Sequence, residues 1–212
     1  MNTPGGTQQI AAAALGDVAD VLPGFSTGER LEHSQTGTHQ VVLSRHLTPG
    51  MPYSFTELDA FRINPGRDAR RYEVRAGDVL FMSRGTRNVA SWIESVPEHT
   101  VVPVSFYIIR PTSLLHSAYL TWFLNQRGAQ RAVGDIRTGA GTPIVQRSAL
   151  LQLRIPLPEL DVQSTIGQMS SAMVRERQTI ERLAAATTRL HDLTSERIAR
   201  ALFARAETHD DD

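Results

Sequence analysis

The chain has 212 residues, 41% of them hydrophobic, enough for one core of ordinary size plus an appendage. It contains no cysteine, which excludes disulfides, thiolate metal sites and cysteine nucleophiles and makes the cytoplasm the expected compartment. Its 22 basic residues balance its 22 acidic ones, and every basic residue is arginine.

In chain order, the apolar run Ile10 to Leu15 lacks a basic flank and is far short of the roughly 18 residues of a membrane span, so neither export nor a membrane partner is expected. "LGDVADVLPG" (15–24) predicts a short helix or strand stopped by Pro23-Gly24, and "HQVVLSRHL" (39–47) a strand. "GDVLFMSRG" (77–85) predicts a strand ending in a polar loop, and "TVVPVSFYIIRP" (100–111) a strand with a bulge-prone proline. In "SLLHSAYLTWFLNQRGAQRAV" (113–133), Leu114, Leu115, Ala118, Tyr119, Trp122 and Phe123 have the spacing of a buried helix face. "ALLQLRIPLP" (149–158) reads as a last strand. The fold class is therefore α+β, with a mixed domain over 1–157 and a long helix with a frayed acidic tail, "ETHDDD", over 158–212.

After Gly167 there is no further glycine or proline. Asp161 can cap the first free amides of a helix running from about 162 to 206, with Gly167 weakening its first turns. Apolar residues fall at Ile166, Met169, Met173, Ile180, Leu183 and Leu190, the steps of a heptad seam, interrupted by Glu176 and Thr187. Beyond Leu190 the stripe shifts to Leu193, Ile198 and Leu202. At 1.5 Å per residue such a helix is on the order of 65 Å long, more than a domain of this size can cover. Part of the stripe is expected to meet a second helix, in a partner or in another copy of the chain; the alternative is a helix folded back on its own domain.

Charge divides the same two parts. Up to Leu157 there are 15 arginines against 12 acids, net +3; after it, 7 against 10, net −3. Arginine forks match phosphates and guanine edges, although a GC-rich genome would by itself also favour arginine over lysine.

The sequence carries no recognisable catalytic motif. "RTGAGTPI" (137–144) has glycines but neither the lysine nor the spacing of a phosphate loop, and "INPG" (63–66) reads as a turn. There is no serine-hydrolase elbow and no paired metal-binding histidines; His46, His99 and His116 stand isolated in sequence and read as structural. A non-catalytic protein without a metal is expected.

Three stretches together carry a resemblance: "LGDVADVLPGFSTGE", "VRAGDVLFMSRGTRN", and "YLTWFLNQRGAQRAV…TGAGTPIVQRSALLQLRIPLPELDVQSTIGQ". They resemble the target-recognition domain and following helix of the specificity subunit of type I restriction-modification systems. The third is the most specific, with Tyr119 and Leu120 on a helix, a Gly-Thr-containing loop, a segment ending "IPLP", and a glutamine a few residues on. Full-length members carry two recognition domains and two such helices; this chain has room for one of each and resembles a half-subunit. The resemblance implies double-stranded DNA and a DNA methyltransferase subunit as partners, S-adenosylmethionine on that partner rather than on this chain, and a restriction subunit in some systems. It also implies a spacer helix and, for a single-domain chain, a homodimer through that helix whose target is two inverted half-sites with a gap.

The residues that would meet DNA follow from chemistry beside that likeness. Seven arginines (62, 67, 70, 71, 75, 84, 87) lie between Arg62 and Arg87 against three acids. The loop "SRGTRN" (83–88) is the expected base reader, with Ser83 and Thr86 as polar contacts. Arg84 and Arg87 can fork onto guanine O6 and N7, Asn88 can pair with adenine, and Gly85 lets the backbone approach. Arg67, Arg70 and Arg71 suit phosphates, and Thr138 and Thr142 are secondary candidates. Any one arginine reads equally as a solvated charge; the cluster as a whole points to DNA. Two rival functions are a coiled-coil adaptor that binds protein partners, and a stand-alone nucleic-acid enzyme with an unrecognised site.

Overall fold

The computed structural model describes residues 10–26, 31–66, 68–139 and 141–207, with side chains as far as residue 201. In chain order the elements are β1 (Ala11–Ala14), α1 (Leu15–Val18), β2 (Ala19–Pro23), β3 (His39–Val41), β4 (Pro52–Ser54), β5 (Arg62–Ile63), β6 (Val79–Met82) and β7 (Ala90–Ser95). There follow β8 (Thr100–Val101), β9 (Phe106–Pro111), α2 (Ser117–Leu124), α3 (Arg127–Asp135), β10 (Arg137–Thr138), β11 (Ile144–Val145), α4 (Arg147–Leu151), β12 (Arg154–Leu157) and α5 (Leu160–Glu207).

The main sheet has the order β2-β9-β6-β7-β4, antiparallel except for the parallel β4·β7 pair. Because side chains alternate across a strand, β6 and β9 supply two cores at once. Val79, Phe81 and Ile109 face a layer built from α1, α2, α3 and α4, joined there by Leu15, Leu120, Leu124, Val133 and Leu150. Leu80, Phe106 and Ile108 face the opposite side, against Val42, Tyr53, Val74 and Val102. A smaller sheet, β5-β3-β8, buries Val41, Ile63 and Val101 with Phe25. One charged pair enters this interior: the Arg110 guanidinium forks onto buried Asp78, Nε to Oδ1 and Nη2 to Oδ2, both at 2.8 Å.

The fold class is the expected α+β one, but several elements differ from the sequence reading. Segment 15–24 is both a helical turn and a strand. Segment 100–111 is not one strand: it leaves the small sheet at Val101 and joins the main sheet at Phe106. The 113–133 helix is two helices, separated where the Asn125 amide pairs with Ala90 like a strand residue, accepting from its N–H (3.1 Å) and donating to its carbonyl (2.9 Å). Segment 149–158 is a helical turn followed by β12, which pairs with β1, so that Leu150 and Ile155 reach the same core from two elements.

The start of α5 is built on the domain. Gln163 is fully buried; its Oε1 accepts from the His116 N–H that precedes α2 (2.9 Å), and its Nε2 donates to the Leu114 and Pro158 carbonyls (3.1 and 2.9 Å). Tyr119 donates from its hydroxyl to Pro156 O at 2.8 Å. These contacts explain why the "IPLP" strand, the helix with Tyr119 and the following glutamine occur together. Asp161 accepts from the Val162 N–H (2.8 Å), just inside the first turn. Gly167 is a close-approach residue: a β-carbon there would lie 2.7 Å from Ala118 Cβ.

The chain divides between Ser171 and Ala172 into two compact units, the first turns of α5 counting with the domain. Ile166 is half-buried against the helix-side core, whereas Met169, Met173, Ile180, Leu183 and Leu190 are each more than half exposed, as are Leu193 and Ile198 beyond them. Leu202 lies where side chains are not described. Among the described residues no helix is long and apolar enough to cross a membrane.

Candidate nucleic-acid interface

Strand β6 delivers the 83–88 loop to the surface, and the loop sorts its side chains into two sets. Arg84, Thr86 and Arg87 are exposed. Ser83 and Asn88 are buried, which corrects their expected place among base-contacting groups. The Ser83 hydroxyl donates to Ser105 O (3.0 Å), and Asn88 Nδ2 donates to Met82 O (2.9 Å) while the Asn88 backbone carbonyl accepts from Gln130 Nε2 (2.7 Å). Their polar atoms are used in holding the loop closed. Gly85 has φ +91°, a conformation an L side chain adopts only with strain, so a glycine is required where the backbone turns outward.

A second loop lies against the first. Arg84 forms an antiparallel bridge with Ile144, flanked by Gly85 N–H to Pro143 O and Val145 N–H to Ser83 O, both 2.8 Å. Ile144 and Val145 form β11, which pairs with β10 across the glycine-containing turn, and exposed Thr138 and Thr142 stand on that hairpin. Arg137 donates from Nη1 to Thr86 O (3.0 Å), and Gln146 donates from Nε2 to Thr138 Oγ1 (2.9 Å). Beneath them the Tyr107 hydroxyl donates to Val145 O (2.9 Å). Burial pushes the Tyr107 phenol up, opposed by the charges of Arg147 and Arg84. Arg84, Thr86, Arg87, Thr138 and Thr142 thus share one polar ridge. Arg137, Gln146 and Tyr107 support it, and no local sequence pattern marked them.

Arg70 and Arg71 are exposed on a 3-10 turn, Arg70–Tyr72, whose next residue, Glu73, bridges to Val101 of the small sheet. Arg70 N–H donates to Asp68 Oδ1 (3.0 Å), and the Arg71 guanidinium lies 4.8 Å from the Tyr72 ring centroid. These two arginines lie on a turn beside the small sheet, whereas the 83–88 loop follows β6 of the main sheet. Arg67 lies outside the described residues.

A histidine cluster adjoins this turn. His99, isolated in sequence, is brought beside His39 and Glu73, and ligand-type atoms of all three lie within 4.8 Å of one another. Burial lowers the His39 pKa, with the neighbouring His99 acting the same way and Glu73 and Asp68 opposing. Elsewhere, an apolar groove of about 750 Å³ is lined by Trp122, Phe123, Ile136, Val162 and Ile166.

No family model matches this chain, and neither does any curated protein. Solved structures do match. One is a chain from a study of complex assembly and conformational transition of the type I R-M system; it aligns over 88% of this chain and 43% of its own length, with TM-score 0.63 and 15% identity. The HsdS subunit from Thermoanaerobacter tengcongensis aligns over 86% of this chain and 40% of its own, with TM-score 0.54 and 17% identity. The type I restriction-modification S subunit from M. genitalium gives 82% and 41%, with TM-score 0.52 and 12% identity. The chain has a type I specificity-subunit fold. It spans about two fifths of the length of each of these solved chains.

Proposed function

We propose that this chain is the DNA sequence-recognition subunit of a type I restriction-modification system, in a form with one recognition domain. In this reading residues 1–157 form the target-recognition domain and residues 158–212 the spacer and docking helix. The partners are double-stranded DNA and a methyltransferase subunit carrying S-adenosylmethionine, with a restriction subunit where the system has one, and the compartment is the cytoplasm. The chain itself performs no chemistry; it directs the methyltransferase to a bipartite site.

The observation that carries this reading is the fold likeness over nearly the whole chain to about two fifths of specificity subunits. The ridge gives it a physical means. Arg84 and Arg87 present forks to guanine edges, while Thr86, Thr138 and Thr142 add hydroxyls that both donate and accept. Ser83 and Asn88 act from below by fixing the loop, and Arg70 and Arg71 supply phosphate contacts that set position rather than sequence. Two copies joined through α5 would restore a pair of readers, and a two-fold axis would turn their half-sites into inverted repeats.

Reconstitution tests it. The purified chain with a type I methyltransferase subunit and S-adenosylmethionine is expected to methylate adenine in a gapped, sequence-specific motif, and the chain alone to be silent. Methyl transfer or strand cleavage by the isolated chain that survives repurification would overturn the reading in favour of an enzyme. Absence of any salt-dependent DNA affinity would overturn it in favour of a protein-binding adaptor.

A further inference from the structure

The cluster of His39, Glu73 and His99 lies outside the ridge and has no part in reading DNA there. Each residue comes from a different segment. His39 opens β3, Glu73 follows the Arg70–Tyr72 turn, and His99 sits in the turn before β8. His99 Nδ1 lies 2.9 Å from Glu73 Oε1, and His39 Nε2 lies 3.8 Å from the same oxygen. The two imidazole rings are 5.4 Å apart, centroid to centroid.

Three features distinguish this from an ordinary surface ion pair. The first is donor placement: Thr38 Oγ1 is 2.9 Å from His39 Nδ1, and the Thr38 N–H is itself held by Asn64 Oδ1 at 3.1 Å. Thr38 Oγ1 can accept the Nδ1 proton, and in that tautomer the Nε2 lone pair, facing the Glu73 carboxylate, is free to ligate a cation between them. The second is geometry. Metal bonds of about 2.0–2.1 Å set tetrahedral ligand atoms about 3.3–3.5 Å apart, and here the ligand atoms lie within 4.8 Å of one another, with 2.9 and 3.8 Å from the Glu73 oxygen to the two imidazoles. The third is the backbone at His99, with φ 56°, the one non-glycine residue with positive φ among the described residues. That conformation costs energy for a histidine and is held by Gln40 N–H to His99 O (3.1 Å) and by Thr100 Oγ1 donating to Pro97 O (2.7 Å). The strained turn directs the ring toward Glu73.

We infer that His39, Glu73 and His99 bind one divalent transition-metal ion of the zinc class. Two imidazoles and one carboxylate suit zinc, cobalt or nickel, whereas magnesium and calcium require an all-oxygen shell. His39 and Glu73 are half-buried and His99 is the exposed ligand, so the remaining coordination position opens to water. The ion would add a cross-link among β3, the end of the Arg70–Tyr72 turn and the turn before β8, which the Glu73–Val101 bridge and the Gln40 N–H to His99 O bond already hold together.

The test uses the full chain without an affinity tag and zinc chloride as the probe, followed by calorimetry, with cobalt(II) absorption as a second readout. One equivalent of zinc per chain is expected at micromolar protein, with visible d–d bands of low-coordinate cobalt and a rise in Tm that a chelator reverses. His99→Asn, which tolerates positive φ, and Glu73→Gln are expected to weaken zinc binding more than about tenfold while melting like the native chain in chelator. His46→Asn, outside the cluster, should bind as the native chain does. No stoichiometric binding, or binding undiminished in both cluster variants, would overturn the inference and leave a hydrogen-bonded histidine pair.

Discussion

Arg84 and Ile144 face each other as an antiparallel bridge, which fastens the arginine loop to the glycine-containing hairpin and makes them one surface. If that surface reads bases, Arg84→Ala and Arg87→Ala should each cost about 1–3 kcal/mol on the cognate site and relax specificity there. Truncations of Arg84 and of Thr138 should not add independently, because the hairpin that carries Thr138 is the one that positions Arg84; a double-mutant cycle by fluorescence anisotropy should show a coupling of about 0.5 kcal/mol or more. Unchanged affinity in both arginine variants would make the ridge a solvated face.

Asn88 separates the support of that surface from its use. Its amide donates to Met82 O, so Asn88→Ala leaves a part-buried acceptor without this donor and should cost about 1 kcal/mol or more of stability. Arg84→Ala should leave the melting curve unmoved. Thermal denaturation and DNA titration of the two variants together distinguish a loop-holding residue from a DNA-contacting one.

Arg70 should behave differently from both. If its guanidinium neutralises a phosphate, Arg70→Ala should weaken binding to all sequences alike and reduce the slope of log K against log salt by about one unit. Titrations at several salt concentrations on cognate and scrambled duplexes check this; weakening confined to the cognate duplex would move Arg70 among the base-reading residues.

Legibility in the sequence followed whether a signal was local. The run Val79–Met82 and the apolar residues Ala118 and Tyr119 of α2 were readable because each pattern is carried by adjacent residues, whereas Leu114, read as part of the same buried face, precedes α2 and is exposed. Strand β7 was not, since Ser91, Glu94 and Ser95 interrupt its apolar alternation, although Ser91 is buried and donates to Thr48 O (2.7 Å). The arginine loop was found as a loop, yet its inward and outward side chains depend on Ser105 and Gln130, far along the chain. The His39, Glu73 and His99 cluster has no spacing at all to betray it, because the parallel pairing of β3 with β8 creates it.

Gly167 illustrates how a single residue couples local and tertiary terms of opposite sign. Replacing it by alanine should favour the helix by about 1 kcal/mol in propensity. The new methyl would meet Ala118 Cβ at 2.7 Å and the adjoining backbone at 3.1 Å, neither of which can swing aside. Overpacking of this kind costs about 1–3 kcal/mol, so the net expectation for Gly167→Ala is a lower Tm, and Ala118→Gly, which removes the contact with the Ala118 methyl but not those with the backbone, should not restore it fully in the double variant.

Dimerisation through α5 is the last expectation. Met169, Met173, Ile180, Leu183 and Leu190 form an exposed apolar stripe, and burying a side chain of this size contributes about 1.5–3 kcal/mol. Glu176 and Thr187 interrupt the stripe, which disfavours a parallel zipper that would stack each against its own copy; an antiparallel pair sets them opposite other residues. Sedimentation of the native chain at micromolar concentration should therefore give a species of about 47 kDa, twice the 23.4 kDa chain. Ile180→Glu with Leu183→Glu places four carboxylates in the paired seam and should return the monomer while leaving the melting of the recognition domain in place. A native chain that sediments as a monomer would reassign the stripe to the methyltransferase subunit, and adding that subunit should then protect residues 169–190 from hydrogen exchange.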